Sequence, residues 1–182
     1  MTTEHAPLNC KRLNPNARFA RPTQYVPQRV GLDDPAILVM TDFRQITAFT
    51  IDPVGSIEHA NRVMIRRGVR LLLVVDVSNA LLGIITSTDV LGEKPIQIVE
   101  AQGITRGEIR VRDIMTAHQD MEVLTMEDVD AAKVGQIVAT LEHVGRQHAA
   151  VVDQDEDGNE RLRGLFSGTQ ITRQLGLGME DS

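Results

Sequence analysis

Gly83-Ile84-Ile85-Thr86-Ser87-Thr88-Asp89 and Gly164-Leu165-Phe166-Ser167-Gly168-Thr169-Gln170 are two versions of one phrase. Each opens on a glycine, runs through apolar residues of strand length, and ends in hydroxyl side chains with a polar residue six positions after the glycine. Such a change marks a strand running straight into a helix, because Ser, Thr and Asp satisfy the first free N–H groups of a helix. Working outward, the match extends. Upstream, Gly68…Val74-Val75-Asp76 aligns with Gly145…Val151-Val152-Asp153 at an offset of 77 (145 − 68). Further up, Phe49-Thr50-Ile51-Asp52 aligns with Leu124-Thr125-Met126-Glu127 at an offset of 75 (124 − 49), whereas the two phrases themselves lie 81 apart (164 − 83). The offset therefore grows by two at a helix start and by four in a hairpin turn, where a duplicated fold tolerates extra length.

Within each copy the pattern reads strand, helix, strand, tight turn, strand, short helix. Ile57, Ala60, Val63 and Met64 share one helical face after Ser56, an N-cap, and Gly68 supplies the stop. Leu71 to Val75 and Leu81 to Ile85 are apolar strand-length runs joined through Asp76-Val77-Ser78-Asn79-Ala80. The second copy repeats this with a stripe of Ala131, Val134, Val138 and Leu141, a stop at Gly145, and strands over Ala149 to Val152 and Leu162 to Phe166. A unit so small cannot bury these faces alone, so the two copies are expected to pack together about a pseudo-twofold axis. The boundaries read as an extended arm over 1–34, a first unit with its final helix over 35–102, a linker over 103–112 and a second unit over 113–182. The arm holds Pro7, Pro15, Pro22 and Pro27, and with Lys11, Arg12, Arg18, Arg21 and Arg29 it is mildly basic. It either packs across the acidic body or a partner, or is a poorly ordered tail.

Composition narrows the function. With 182 residues, 42% apolar content and a net charge of -6, the chain supports a sizeable core but lacks the concentrated basic face of a nucleic-acid binder. At 3% aromatic residues it also lacks stacking platforms for single strands. The single cysteine, Cys10, rules out an intrachain disulfide and a cysteine-rich zinc site, and suits a reducing compartment. No apolar run approaches the roughly 18 residues of a membrane span, and no apolar stretch follows Lys11 and Arg12 as in a secretory signal. The expectation is a cytoplasmic protein, with no nucleic acid and no membrane among its partners.

The phrase Gly83 to Asp89 resembles the Gly-apolar-x-Thr/Ser-x-x-Asp motif of CBS domains, which ends the last strand and opens the final helix. Val39-Met40-Thr41 and Asp113-Ile114-Met115-Thr116 resemble the Asp-apolar-Met-Thr start of that family, and together the matches cover roughly residues 36–178. The resemblance implies an α/β (α+β) fold of two strand-helix-strand-strand-helix units packed through their sheets, the CBS pair or Bateman module. It further implies a non-catalytic regulatory module that takes AMP, ADP, ATP or S-adenosylmethionine into the cleft between units, needs no cofactor or metal, pairs as a homodimer and acts on a separate effector protein. By the same resemblance Asp89 reads ribose hydroxyls, Thr86 meets the phosphate, Ile46 and Ile84 sandwich adenine, and Ser87, Thr88 and Gly83 belong to the same nucleotide-binding site. A basic residue before the middle strand often reaches phosphate in this family, which points to Arg70 in the first copy and to Arg146 and His148 in the second.

Chemistry supports the division of labour, since a helix N-terminus offers free N–H groups and a carboxylate accepts from vicinal hydroxyls. The same residues also serve simply as a helix cap. In the second copy Ser167 and Thr169 keep the hydroxyls but Gln170 replaces the carboxylate, so the Asp89 site is expected to be the stronger. A ligand-independent dimerisation module with vestigial clefts is the competing reading. Asp153-Gln154-Asp155-Glu156-Asp157-Gly158 begins like a calcium loop, yet Gly164 stands where the bidentate Glu belongs, so Asp157-Gly158 reads as a turn. His5, His59, His118, His143 and His148 show no metal spacing, and Gly176-Leu177-Gly178 reads as a helix stop. No acid/base pair or activated nucleophile can be assembled from the motifs, so no catalytic residue is assigned.

Overall fold

A computed structural model describes residues 26–177. In chain order, a 3-10 turn (Ala36–Val39) leads into β1 (Thr41–Asp42), β2 (Thr50–Ile51), α1 (Ile57–Arg67), β3 (Leu71–Val75), β4 (Leu81–Thr86), α2 (Ser87–Leu91) and α3 (Lys94–Gln102). The second half follows as α4 (Val111–Ile114), β5 (Thr116–Ala117), β6 (Val123–Thr125), α5 (Met126–Ala131), α6 (Val134–Val144), β7 (His148–Gln154), β8 (Glu160–Ser167) and α7 (Gly168–Gln174). The signals that set the helices are the ones legible in the chain. Ser56 Oγ accepts from the His59 N–H, and Gly68 and Gly145 end α1 and α6 in the left-handed conformation at φ 66° and 63°.

Two four-stranded sheets result, ordered β2-β3-β4-β5 and β6-β7-β8-β1. In each, the first pair is parallel and the rest antiparallel, so the halves share one topology. The outer strand of each sheet, however, comes from the other half of the chain: β1 pairs with β8, and β5 pairs with β4. The cores follow the same exchange. Ala36, Val39 and Met40 are buried with Val134, Leu141, Val151 and Phe166. Ile109, Val111 and Ile114 are buried with Ile57, Met64, Leu72 and Ile85. Boundaries drawn along the sequence at 35 and 113 thus divide the chain in order, while in space each lead-in segment belongs to the opposite core. Ile109 and Val111, expected in a linker, are fully buried.

Three expectations about the repeat are corrected. The sheet register sets Ile51 opposite Val74 and Leu124 opposite Val151, so Ile51 corresponds to Leu124 rather than Met126. The extra residues before the second long helix fold into α5, which holds Ala131 on an exposed turn and leaves Val134, Ile137 and Leu141 as the buried stripe of α6. The four extra residues of the second hairpin lengthen its arms instead of its turn, adding the rungs Asp153↔Arg161 and Gln154↔Glu160. At the tip, Asp155 Oδ1 accepts from the N–H groups of Asp157 and Asn159, an ordinary Asx turn in place of a calcium loop.

Those extra rungs anchor β1. Arg161 and Arg44 donate to Asp153, each at 2.7 Å, and Arg163 donates to Asp42. Burial pushes the Asp42 carboxyl up, but the Arg44 N–H, the Gln45 amide and Arg163 more than offset this and hold it below the usual carboxylate range. The described end of the arm is tied to the second half as well: Gln174 Nε2 donates to the Pro27 carbonyl and the Gly135 N–H to that of Leu32. Arm residues 1–25, including Lys11, Arg12, Arg18 and Arg21, lie outside the described residues. Among the described residues, no helix is long and apolar enough to cross a membrane.

Candidate functional site

A cavity of about 250 Å³ opens between the halves, where the second copy of the repeated phrase meets the start of β3. Ile46, Ala48, Phe49 and Leu165 give it apolar walls, and Thr41 and Phe43 lie beside them. Ser167, Thr169 and Gln170 line one side, Arg70 and His148 another, and Arg173 lies one helical turn beyond Gln170. Ile46 comes to this place because β1 crosses to β8. The Asp42 carbonyl accepts the N–H groups of Gln45 and Ile46 and its carboxylate accepts that of Arg44, which folds residues 42–46 into a tight turn over the cavity. Ile46 lines this cavity, whereas Ile84 sits in β4 opposite Thr116 and is not among the lining residues.

The two copies of the phrase differ in what their polar groups already do. In the first, Thr86 and Asp89 satisfy each other: the Thr86 N–H and hydroxyl donate to Asp89 Oδ2 at 2.8 and 2.7 Å, and the Asp89 N–H donates back to Thr86 Oγ1 at 3.2 Å. The other carboxylate oxygen accepts from Lys94 Nζ at 2.5 Å, and Lys94 also donates to the Ile114 carbonyl. Asp89 is buried, and the Ser87 N–H is used by the Arg70 carbonyl. Ser87 Oγ is buried without a hydrogen-bond partner among the described residues, and Thr88 is exposed.

In the second copy Ser167 and Gln170 do not form that reciprocal pair. Ser167 makes no capping bond at α7, and the side chains of Ser167, Thr169, Gln170, Arg70 and Arg173 make no hydrogen bond to another described residue. These polar groups therefore line the cavity without a side-chain partner of their own. Burial, reinforced by the positive charge of Arg70, holds the His148 imidazole below its ordinary 6.5, with Asp89 pulling the other way. Arg146 is not part of the cavity; it pairs with Glu122 at 3.3 Å.

Gly83 acts through packing. It sits in β4 against Ala117, and a Cβ there would lie 2.2 Å from the Thr116 carbonyl oxygen; at Gly164 a Cβ would meet that of Thr41 at 2.6 Å. Each motif glycine makes room for the crossing strand of the other half. Arg173 and Phe49 were missed in the sequence. The helical step of three from Gln170 signals Arg173, whereas Phe49 reads there only as a strand residue. No group of three or more His, Cys, Asp or Glu placed to hold a metal occurs among the described residues.

Two exchanged α/β units around an interunit cleft are the architecture of CBS-domain pairs. Residues 39–95 match the family model described as the CBS domain, and the chain has the fold of CBS-pair proteins. An uncharacterised conserved protein from Pyrococcus horikoshii is similar over 84% of this chain and 98% of its own, at 20% identity and a TM-score of 0.56. The CBS domain pair of protein MJ0100, in complex with 5'-methylthioadenosine and S-adenosyl-L-methionine, covers 80% of this chain and 98% of its own at 20% identity and TM-score 0.52. CBSX2 in complex with AMP covers 77% and 93% at 20% identity and TM-score 0.51. No curated protein matches the chain.

Proposed function

We propose that this chain is a regulatory module that takes an adenosyl ligand into the cavity between its halves and changes its conformation or partner binding in response. The observation that carries the reading is an apolar-walled cavity whose polar lining, Ser167, Thr169, Gln170 and Arg70, has no partner among the described side chains. Apolar walls with a few convergent polar groups suit a flat base joined to a polar sugar. Similar folds whose ligands are AMP, 5'-methylthioadenosine and S-adenosyl-L-methionine support the ligand class. In this reading Asp89, Thr86, Ser87 and Thr88 belong to a second cleft, where Lys94 covers the Asp89 carboxylate. The module works in the cytoplasm, pairs as a homodimer through exposed apolar residues such as Ile65, Leu91 and Ile96, and signals to a separate effector protein.

A thermal-shift series with AMP, ADP, ATP and S-adenosylmethionine tests this. Ligand at about a hundred times its Kd adds about 2.7 kcal/mol, or about 5–10 °C in Tm for a chain of this size. Absence of any shift at millimolar concentration would rule the reading out. Saturation of Asp89 by its own chain favours the alternative of a ligand-independent pairing module, which a stable dimer without any ligand response would establish.

A further inference from the structure

The cavity does not end at Arg70. Ala48 and Phe49 also wall an adjoining hollow on the outer side, whose remaining lining is Thr50, Val63, Arg66 and Arg67. Arg66 and Arg67 fall in the last turn of α1, and Arg70 follows three residues later at the start of β3. The Arg67 guanidinium lies over the Phe49 ring, 5.0 Å from its centroid, a placement that leaves its N–H edges open to an anion. No Asp or Glu lines either hollow, and Arg66, Arg67, Arg70 and Arg173 form no ion pair among the described residues. On a chain of net charge -6, four unneutralised guanidiniums beside one small cavity are a concentrated positive field. That field is wrong for a sulfonium cation and exceeds what one phosphate needs.

We infer that the cavity selects adenine nucleotides carrying a chain of two or more phosphates, the base and sugar lying between Ile46, Leu165 and Gln170 and the phosphates running over Phe49 onto Arg70, Arg67 and Arg66. This rests on the adenosyl reading of the same cavity. Each added phosphate gains a charge-assisted fork to arginine, about tenfold in affinity at low salt. Raising the ionic strength weakens ATP binding more than AMP binding, because exposed charges are screened.

Calorimetric titration of the full chain with adenosine, AMP, ADP, ATP, S-adenosylmethionine and inorganic tripolyphosphate, without divalent metal, tests the inference. The expected order is ATP over ADP over AMP, with S-adenosylmethionine weakest. The double variant R66Q/R67Q is expected to bring ATP down to the AMP level while leaving AMP unchanged within about twofold. Equal affinity for AMP and ATP, tighter binding of S-adenosylmethionine, or an undiminished ATP preference in R66Q/R67Q overturns it. If tripolyphosphate binds but no nucleoside compound does, the adenosyl reading fails and the arginine track stands. Silence from both tripolyphosphate and ATP removes the track.

Discussion

A carboxylate is useful to a ligand only if its lone pairs are not already taken, and this separates the two copies at the level of single residues. Asp89 gives one oxygen to the Thr86 N–H and hydroxyl and the other to Lys94, so any ribose there must first displace a charged partner. Gln170 has no such engagement and borders the cavity. Substituting the two should therefore separate stability from binding. Asp89→Ala removes a capping box and is expected to destabilise by about 1–2 kcal/mol in urea titrations while changing nucleotide affinity less than about twofold. Gln170→Ala is expected to leave stability within about 0.5 kcal/mol and to weaken the nucleotide by about five- to tenfold. The reverse pattern would return the site to Asp89. Which polar types stand in the phrase is legible in the sequence, but their availability is not, because Lys94 reaches Asp89 only after α3 has turned back beside α2.

At the scale of elements, the repeat revealed the strands, the helices and their caps, since these depend on local period and on residues such as Ser56, Gly68 and Gly145. It did not reveal which sheet each short lead-in strand joins. β1 and β5 have two residues each, too few to carry a face pattern, and their pairing is decided by a distant glycine. Gly83 and Gly164 thus carry the crossing rather than the ligand. A methyl at Gly83 would approach the Thr116 carbonyl oxygen to 2.2 Å, and every atom it meets is β5 backbone rather than a flexible side chain. Gly83→Ala is expected to destabilise by about 2–3 kcal/mol, and Gly164→Ala by somewhat less because part of its obstruction is the flexible end of Met40. Gly107→Ala, with open space around it, serves as the control and is expected to stay within about 0.5 kcal/mol. Equal Tm values for Gly83→Ala and Gly107→Ala would show that β5 does not need the gap.

For the whole molecule the exchange means that neither half is complete. A fragment spanning 26–102 keeps α1, β3 and β4 but lacks Ile109, Val111 and Ile114, and it exposes Ala36, Val39 and Met40, whose core is elsewhere. Each buried aliphatic side chain of that size contributes about 1.5–3 kcal/mol, so losing three removes about 5–9 kcal/mol. That is as large as the entire stability of a typical domain. The fragments 26–102 and 103–177 are accordingly expected to be unfolded alone and to regain structure when mixed, whereas the intact chain unfolds in one cooperative transition. Circular dichroism melts of each fragment and of their mixture check this, and a cooperative melt from 26–102 alone would mean that its core closes without the second lead-in. The same interlock bears on the cavity, because its Ile46 wall and its Gln170 wall are joined through β1 and β8 while Arg70 leads into β3 of the other sheet. A ligand touching both sides contacts the two cores at once, and any difference in its affinity between two arrangements of the halves moves the population from one to the other.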